Sequence, residues 1–228
     1  MQYIIIGLGN FGSTLGMQLT AMGHEVIAVD ASMEKVDAFK NEITHTICLD
    51  ATELPALRTL PLADTDIVVI GIGEDFGASV MTTALFKQLS VKRIIARAIS
   101  PIHQKVLEAL GVDQIVRPEQ ESAERLAKKL ELKGVIDSFG LSEDYNIVEA
   151  LAPTRYVGKS IREANIRSDF NVNILTILRP NQSRKFWSNT SPSKTVIGVV
   201  SAETVIEAGD VLVLYGLIKD IERMLHSE

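Results

Sequence analysis

A glycine-rich turn close to the start of the chain restricts the folds that the chain can adopt. The segments on either side of this turn match the strand, helix and second strand of one supersecondary unit. An apolar segment precedes residues 7–12, which read Gly-Leu-Gly-Asn-Phe-Gly, and a second apolar segment ends at Asp30. In such a unit Gly7 permits a tight turn, Gly9 allows backbone N–H groups to approach a pyrophosphate, and Gly12 allows a helix to pack on the strand. The helix N-terminus attracts the phosphate, and Asp30 can accept hydrogen bonds from both ribose hydroxyls. The pattern therefore predicts a strand–helix–strand unit that binds a nucleotide.

The first half of the chain continues this alternation of strand and helix. Strands are predicted near residues 2–7, 25–30, 44–49, 67–71, 93–97 and 114–116, and helices near 11–22, 32–41, 53–60, 76–89 and 101–110. The strand segments are rich in Ile and Val without polar alternation, which is typical of strands covered on both faces. Short connections between alternating strands and helices predict parallel pairing. The predicted fold is therefore α/β, with a Rossmann-like doubly wound parallel sheet.

A long charged helix is predicted after the sixth strand, and beyond Gly134 the pattern changes. The helix is expected over residues 119–133, strands near 146–151, 172–178, 196–200 and 211–215, short helices near 158–164 and 218–225, and a polar loop containing Trp187 over 179–195. The second segment is too small for the substrate domain of a usual dehydrogenase and predicts a small α+β domain. The sequence thus divides into domains 1–136 and 137–228, and the long helix is expected to serve as a crossover or dimerisation helix.

Charge and composition restrict the partners of the chain. A formal net charge of −6 without a basic stripe argues against nucleic acid and against direct binding to an anionic membrane. No apolar stretch approaches the roughly 20 residues that span a bilayer, and a strand predicted at the N-terminus argues against a signal peptide. The single cysteine, Cys48, lies in an apolar run and is expected to be buried and reduced. These observations predict a cytoplasmic protein.

A small NAD-dependent oxidoreductase is the alternative interpretation of the glycine-rich unit. Asp30 would favour NAD over NADP, because a carboxylate repels a 2′-phosphate. Such an enzyme needs an acid or base beside the cofactor, and of the four histidines only His103 is expected at the ligand edge of the sheet. There it is expected to be solvated or to cap a helix. Since the sequence also lacks a Ser/His/Asp, His-Glu-x-x-His or Cys-x-x-Cys set, no catalytic residue is predicted.

Several further motifs recur in an order known from one family. They are Val29-Asp30, Asp50-Ala51-Thr52-Glu53, residues 71–79, Ile94-Ile95-Ala96-Arg97-Ala98, Leu110-Gly111-Val112-Asp113 and Arg117-Pro118-Glu119, followed by residues 152–166 and 206–216. Together with the glycine-rich turn, this series resembles the regulatory subunits of Trk/Ktr potassium uptake systems. Those proteins consist of an RCK domain, also called TrkA-N, followed by a small RCK-C or TrkA-C domain. The resemblance covers nearly the whole chain.

The resemblance implies a regulatory protein that is not an enzyme. Members of this family are homodimers that assemble into an octameric ring under a membrane-embedded potassium-translocating subunit. The location implied for this chain is therefore cytoplasmic and peripheral, at the inner face of the cell membrane. Exchange of ATP, ADP or NAD(H) in the RCK domain gates the transporter, which requires ligands that bind two states of the ring with different affinities.

The resemblance also implies residues for a nucleotide site. The cofactor-binding positions are Gly7, Gly9, Asn10, Phe11, Gly12, Asp30, Ala31, Asp50, Ala51, Thr52, Gly71, Ile72, Gly73, Glu74 and Arg97. Asp30 corresponds to the ribose acid, and Arg97 to a basic position near the terminal phosphate. Glu119 corresponds to an acidic position that helps hold Mg²⁺ or another divalent cation beside ATP.

Two points leave the ligands open. Several ATP-binding members carry an arginine where this chain has Asn10, and an amide cannot supply the charge of a charge-assisted phosphate contact. ATP, ADP, AMP and NAD(H) therefore all remain candidates. In some relatives the RCK-C domain binds cyclic di-AMP through a basic and an amide side chain. Arg167 with Asn171 or Asn173 could serve in this way, although the interpretation of these residues as polar loop residues at a strand entry is favoured.

Overall fold

A computed structural model of the chain describes residues 1–131, 134–142, 144–181 and 194–227. Trp187 and the end of the predicted long helix, at residues 132 and 133, lie outside the described residues. The chain forms two compact units, Met1–Gln120 and Glu121–Glu228. Among the described residues, no helix combines the length and the apolar character that crossing a bilayer requires.

The first unit contains a parallel sheet of six strands. The strands are β1 (Gln2–Ile6), β2 (Glu25–Asp30), β3 (His45–Cys48), β4 (Ile67–Ile70), β5 (Ile94–Arg97) and β6 (Gln114–Val116), in the spatial order β3-β2-β1-β4-β5-β6. The connecting helices are α1 (Asn10–Ala21), α2 (Met33–Phe39), α3 (Leu54–Leu57), α4 (Phe76–Gln88) and α5 (Pro101–Leu110). The strand order reverses beside β1, as in a doubly wound fold. The predicted fold class is confirmed.

Burial on both faces of the sheet explains the uninterrupted apolar strands. Ile4 and Ile6 of β1 pack on one face, in a core shared with Phe86 of α4 and Leu107 of α5. Ile5 points to the opposite face, in a core shared with helices α1 and α2. Because successive side chains of a strand alternate between faces, each position of a central strand must be apolar when both faces are covered.

The second unit contains an antiparallel sheet of five strands. They are β7 (Val135–Gly140), β8 (Tyr145–Leu151), β9 (Asn173–Pro180), β10 (Lys194–Val196) and β11 (Val211–Leu217), in the order β10-β9-β11-β8-β7. Its helices are α7 (Ile161–Ala164), α8 (Ile166–Phe170) and α9 (Ile218–His226), with a 3₁₀ turn at Thr154–Tyr156. A separate core of Val148, Ile177, Leu212 and Ile221 joins this sheet to its helices. The predicted α+β character is confirmed.

Helix α6 (Pro118–Glu131) begins in the first unit and continues into the second. The domain boundary predicted from the sequence lies between residues 136 and 137, whereas the division between the compact units falls between Gln120 and Glu121. The two divisions therefore differ in their assignment of this helix and of the first residues of β7. Leu126 and Leu130 of α6 are exposed.

Several local predictions for the described residues differ from the structure. The strand predicted over 196–200 ends at Val196, because Gly198 has a φ of +84° and Val199 is 96% exposed. Strand β7 and helix α8 were not predicted at all. Cys48 is exposed instead of buried, because β3 is the edge strand of its sheet and its last residue has no neighbour on the outer side.

Candidate nucleotide-binding site

A cleft of about 730 Å³ opens at the carboxyl ends of the parallel strands in the first unit. It lies where the strand order reverses, between the ends of β1, β2 and β4, which is the position of ligand sites in open α/β sheets. The cleft is lined by Ile6, Gly7, Leu8, Gly9, Asn10, Asp30, Ala31, Lys35, Leu49, Asp50, Ala51, Thr52, Gly71, Ile72, Gly73, Glu74, Asp75, Ala78, Thr82, Arg97 and Glu119.

The glycine-rich turn forms the middle of the cleft. Gly7 has a φ of +97°, a backbone conformation in which a residue with a side chain would be strained. Its N–H donates a hydrogen bond to Val29 O at 2.7 Å. A Cβ on Gly12 would lie 1.9 Å from the carbonyl oxygen of Gly7, so only glycine lets α1 approach the strand this closely. A Cβ on Gly9 would meet no atom within 4 Å, and it would project into open space where a ligand could approach.

Helix α1 begins beside this turn with its backbone donors available. Its N-cap is Gly9, no side chain caps it, and its first turn contains no acidic residue. The first N–H groups of a helix have no partner within the helix and carry the positive end of its dipole. An anion placed here would satisfy these donors, so the geometry suits a phosphate.

Asp30 ends β2 beside the glycine-rich turn. Its Oδ2 accepts a hydrogen bond from the Leu8 N–H at 2.7 Å, and its Oδ1 accepts one from the Ser32 N–H at 2.9 Å. The Nζ of Lys35 lies 4.0 Å from Oδ2. Each carboxylate oxygen can accept a further hydrogen bond. Asp30 can therefore fix the turn and still bind ribose hydroxyls.

The segment after β3 forms the wall next to Asp30. Asp50 Oδ1 accepts hydrogen bonds from the Thr52 hydroxyl at 2.7 Å and from the Thr52 N–H at 2.9 Å. These two bonds, the hydroxyl first, hold the pKa of the Asp50 carboxyl below its ordinary value. Behind them, Ala51 is buried, and its carbonyl oxygen accepts a hydrogen bond from the hydroxyl of Thr82 at 3.1 Å. This wall is thus held in place by α4.

Arg97 and Glu119 form an ion pair at the other end of the cleft. Arg97 ends β5, and its Nη2 donates to Glu119 Oε1 in the first turn of α6. Its Nη1 lies 3.4 Å from Gly71 O, and its guanidinium lies 5.9 Å from the centroid of the Phe11 ring. The Nε atom is buried and has no hydrogen-bond partner among the described residues.

The structure brings most of the predicted site residues together. All of them line the cleft except Phe11 and Gly12, the last two residues of the glycine-rich turn. Phe11 instead supports Arg97, and Gly12 packs on Gly7. Their roles in ligand binding remain predictions. Sequence reasoning missed Lys35 and Thr82: Lys35 follows Asp30 by five positions and could have been noticed, whereas Thr82 in α4 needs the tertiary fold.

His103 is fully buried, so the prediction that it is solvated is wrong. Its Nδ1 accepts a hydrogen bond from the Ile99 N–H at 3.3 Å, and its ring contacts Phe76 with centroids 4.9 Å apart. The side chain that caps α5 is Ser100, whose Oγ accepts from the His103 N–H at 3.1 Å. Burial lowers the pKa of the imidazole below its ordinary value. His103 does not line the cleft.

The predicted metal position has one carboxylate, which already has a partner. Within the described residues, no group of three His, Cys, Asp or Glu side chains is arranged to hold a metal ion. Glu119 pairs with Arg97. Mg²⁺ often uses one carboxylate together with phosphate oxygens and waters, so Glu119 fits such an ion only when a nucleotide supplies the other ligands.

The residues implied for cyclic di-AMP lie around α8 in the second unit. Arg167 is exposed within α8, and Asn171 follows it with a φ of +56°. The Asn171 N–H donates to Arg167 O at 3.0 Å, which closes the helix end. Asn173 begins β9 opposite Tyr215 of β11. Asn171 thus has a structural role, since asparagine tolerates the left-handed conformation.

The fold and the cleft define the first unit as a Rossmann-type domain with the geometry of a nucleotide site. The model of the TrkA-N domain family matches residues 3–118. This chain belongs to the TrkA-N family, and the predicted family is confirmed.

Curated relatives match the chain over its length. It is 33% identical to the Ktr system potassium uptake protein C of Bacillus subtilis (strain 168) over 231 residues, which cover 100% of this chain and 99% of that protein. It is 36% identical to the Ktr system potassium uptake protein A of the same organism over 222 residues, or 97% and 94% of the two chains. Both relatives therefore include counterparts of both units.

Solved structures share the fold. The RCK domain of GsuK superposes with a TM-score of 0.66 at 19% identity, covering 99% of this chain and 48% of that one, a likeness that concerns the fold alone. The NAD(P)-binding domain of an exopolyphosphatase-related protein from Archaeoglobus fulgidus superposes with a TM-score of 0.51 at 28% identity, covering 57% of this chain and 96% of that one.

Proposed function

We propose that this chain is a regulatory subunit of a Ktr-type potassium uptake system, and that it binds an adenine nucleotide in the cleft of its first unit. The observation that carries the proposal is the match to Ktr system potassium uptake protein C, which extends over 100% of this chain and 99% of the relative. Because the match includes the second unit, it concerns a particular two-unit protein and not Rossmann domains in general.

The nucleotide is supported by three features of the cleft. The N-terminus of α1 offers backbone donors that suit a phosphate, Asp30 lines the cleft with lone pairs that suit ribose hydroxyls, and Arg97 provides a cation at the far end. The similarity to a domain named for NAD(P) binding, at 28% identity, supports the same site. ATP, ADP and NAD(H) are the candidate ligands, with Mg²⁺ at Glu119 when the ligand is ATP. Cyclic di-AMP at Arg167 and Asn171 or Asn173 is a second, separate prediction.

Regulation without catalysis fits the residues of the cleft. Among the described residues that line it, there is no histidine, cysteine or tyrosine. His103, the histidine that the sequence predicts at the ligand edge of the sheet, is buried and accepts a hydrogen bond from a backbone N–H. A hydride-transfer enzyme needs an acid or base within hydrogen-bond reach of its substrate. The Asp and Glu side chains of the cleft are better suited to ribose and metal contacts.

The partners follow from the proposed family role. We expect a membrane-embedded potassium-translocating subunit as partner and a homodimer that assembles into an octameric ring. The exposed Leu126 and Leu130 of α6 offer apolar surface for contact between copies. The chain would then lie in the cytoplasm against the inner face of the membrane, held there through its partner.

Thermal unfolding with added ligands tests the nucleotide part of the proposal. The full chain is heated with ATP, ADP, AMP, NAD⁺ or NADH, with and without Mg²⁺, since a ligand that binds only the folded state raises the midpoint. A rise with ATP or ADP supports a Ktr-type regulator. A rise with NADH alone, accompanied by turnover of a substrate, would instead support the oxidoreductase.

Potassium uptake by cells tests the regulatory part. Cells that lack this chain should take up potassium more slowly at limiting external potassium, and the wild-type chain should restore the rate. A Gly9→Ala variant should restore it poorly, because its methyl group would block the phosphate position. Equal restoration by both variants would contradict control by a nucleotide.

A further inference from the structure

We propose that the Glu119 carboxylate competes with the terminal phosphate of the ligand for the Arg97 guanidinium. The Arg97–Glu119 ion pair then sets how strongly the cleft binds nucleoside di- and triphosphates. This inference rests on the nucleotide function proposed above. Glu119 then has a role in the absence of any divalent cation. Its carboxylate lowers the affinity for the nucleotide, whereas a residue that simply binds the ligand would raise it.

The position of the pair places it at the far end of the ligand. Asp30 ends β2 and Arg97 ends β5, so they lie on opposite sides of β1 and its glycine-rich turn. A nucleotide with its ribose at Asp30 and its first phosphates at the turn would direct any further group toward Arg97. A smaller cavity of about 330 Å³ lies beyond, and Gly73, Arg97 and Glu119 belong to the walls of both.

Arg97 is held firmly but keeps unused donors. Its side chain is only 17% exposed and lies against Gly73, where an added Cβ would come within 2.4 Å of Nη1. A guanidinium has five N–H donors. The hydrogen bonds described for Arg97 go to Glu119 and Gly71 O, and its Nε has no partner among the described residues. Arg97 can therefore take on an anion without leaving its place.

Glu119 is the partner that can be displaced. Its side chain is 61% exposed, so its carboxylate can exchange Arg97 for water at small cost, as exposed ion-pair members do. A terminal phosphate carries more charge than a carboxylate and forms stronger charge-assisted hydrogen bonds with arginine. When such a phosphate reaches Arg97, Glu119 must either move away or repel it.

The charge of the cleft makes this competition matter. Among the described lining residues, five carboxylates accompany two cations, and the carboxylates are those of Asp30, Asp50, Glu74, Asp75 and Glu119. The two cations are Lys35, which lies beside Asp30, and Arg97. Of these two cations only Arg97 lies beyond the glycine-rich turn, and Arg117 adds a further cation in the wall of the adjoining cavity. A dinucleotide places an uncharged or cationic nucleoside end there and has no reason to displace Glu119.

Calorimetric titration of the full chain in EDTA tests the competition. ADP, ATP and NAD⁺ are titrated into the wild type, Glu119→Gln, Arg97→Gln and the double variant. Removing the negative charge should raise the affinity for ADP and ATP about three- to tenfold while changing that for NAD⁺ by less than about twofold. Arg97→Gln should lower the affinity for ADP and ATP. In its background Glu119→Gln should raise that affinity by a smaller factor than in the wild type, because no competition for Arg97 remains.

Matched controls keep the result decisive. Glu121→Gln removes the same charge from α6 at a residue outside the cleft lining, and it should leave all affinities unchanged. Unfolding midpoints without ligand establish that each variant is folded. An unchanged or lower ADP affinity in folded Glu119→Gln would overturn this inference alone. Failure of the wild type to bind any of the three nucleotides would overturn the proposed function and this inference with it.

Discussion

At the scale of single residues, the Asp30 carboxylate both holds the glycine-rich turn in place and faces the cleft. Its Oδ2 accepts from the Leu8 N–H and its Oδ1 from the Ser32 N–H, so it joins the glycine-rich turn to the first residues after β2. At 12% exposure its side chain still faces the cleft. The same carboxylate therefore fixes the glycine-rich turn and keeps lone pairs that can accept hydrogen bonds from a ligand in the cleft.

Replacing Asp30 by Ala should weaken nucleotide binding by about 1–3 kcal/mol, because the hydrogen bonds to ribose are lost and the Leu8 N–H is released. Isothermal titration with ADP measures the loss. Asp37→Ala serves as the control, since Asp37 pairs with Lys40 on α2 and does not line the cleft. Equal affinity of Asp30→Ala and the wild type would remove Asp30 from the site.

His103 should make the stability of the chain sensitive to mild acid. Burial lowers its pKa, so the folded chain binds a proton only below the pH at which the unfolded chain does, about 6.5. The unfolded state then holds more protons in this window, and the contribution of neutral His103 is complete above about pH 6.5 and is lost as the pH falls toward the lowered pKa.

Denaturant unfolding between pH 7.5 and 5 measures this slope. His103→Phe should be less stable throughout, because the Ile99 N–H loses its acceptor, but its stability should fall less over this range. His45→Gln removes an exposed histidine and should keep the wild-type slope. Identical slopes for His103→Phe and the wild type would contradict the assignment.

At the scale of elements, the predictable parts are those set by local pattern. The strands and helices of the first unit follow from apolar runs, glycine positions and short connections. Each of the eleven residue ranges predicted there, six strands and five helices, overlaps an observed element. Failures occur where pairing with another strand, and not the pattern of the segment itself, decides the outcome. Strand β7 forms by pairing with β8, and β10 by pairing with β9, and neither segment has a clear alternation of its own. Thr82 enters the cleft only through the packing of α4, whereas the spacing of Lys35 from Asp30 is visible in the sequence.

The turn between β1 and α1 allows a paired test of its glycines. Gly12→Ala should lower the free energy of unfolding by about 2–3 kcal/mol, since the new Cβ would overlap the backbone of Gly7. Gly9→Ala should fold normally, because its Cβ meets no atom within 4 Å. It should nevertheless lower nucleotide affinity about tenfold or more, since the methyl group blocks the approach of a phosphate. Denaturant unfolding and calorimetry separate the two effects, and loss of stability in Gly9→Ala would contradict them.

An ion pair joins Arg179 of β9 to Asp210, the buried residue directly before β11. Arg179 donates from Nε and Nη2 to the two oxygens of Asp210 at 2.9 Å, and Asp210 is fully buried. Arg179→Met should lower the stability of the second unit by about 3–5 kcal/mol, because an uncompensated charge stays buried. Arg162→Met removes an exposed pair with Glu203 and should have little effect on unfolding. Similar losses in the two variants would contradict the distinction.

At the scale of the whole molecule, two units with separate cores should respond differently to a ligand of the first. ADP at about 100 times its dissociation constant adds about 2.7 kcal/mol to the stability of the state that binds it. Hydrogen exchange of the full chain should therefore slow most around residues 6–12 and 71–75. The amides that pair β9 with β11 should change less, and the reverse order would place the ligand elsewhere.

The start of α1 differs from that of several other helices in this chain. Helices α2, α4, α5 and α7 are each closed at their first turn by a side chain of their own, from Ser32, Asp75, Ser100 and Ser160. Such a cap contributes about 1 kcal/mol, and α1 has none. A phosphate bound at this helix start would satisfy the same backbone donors, so a nucleotide would add to the stability of the first helix what a side-chain cap adds to the others.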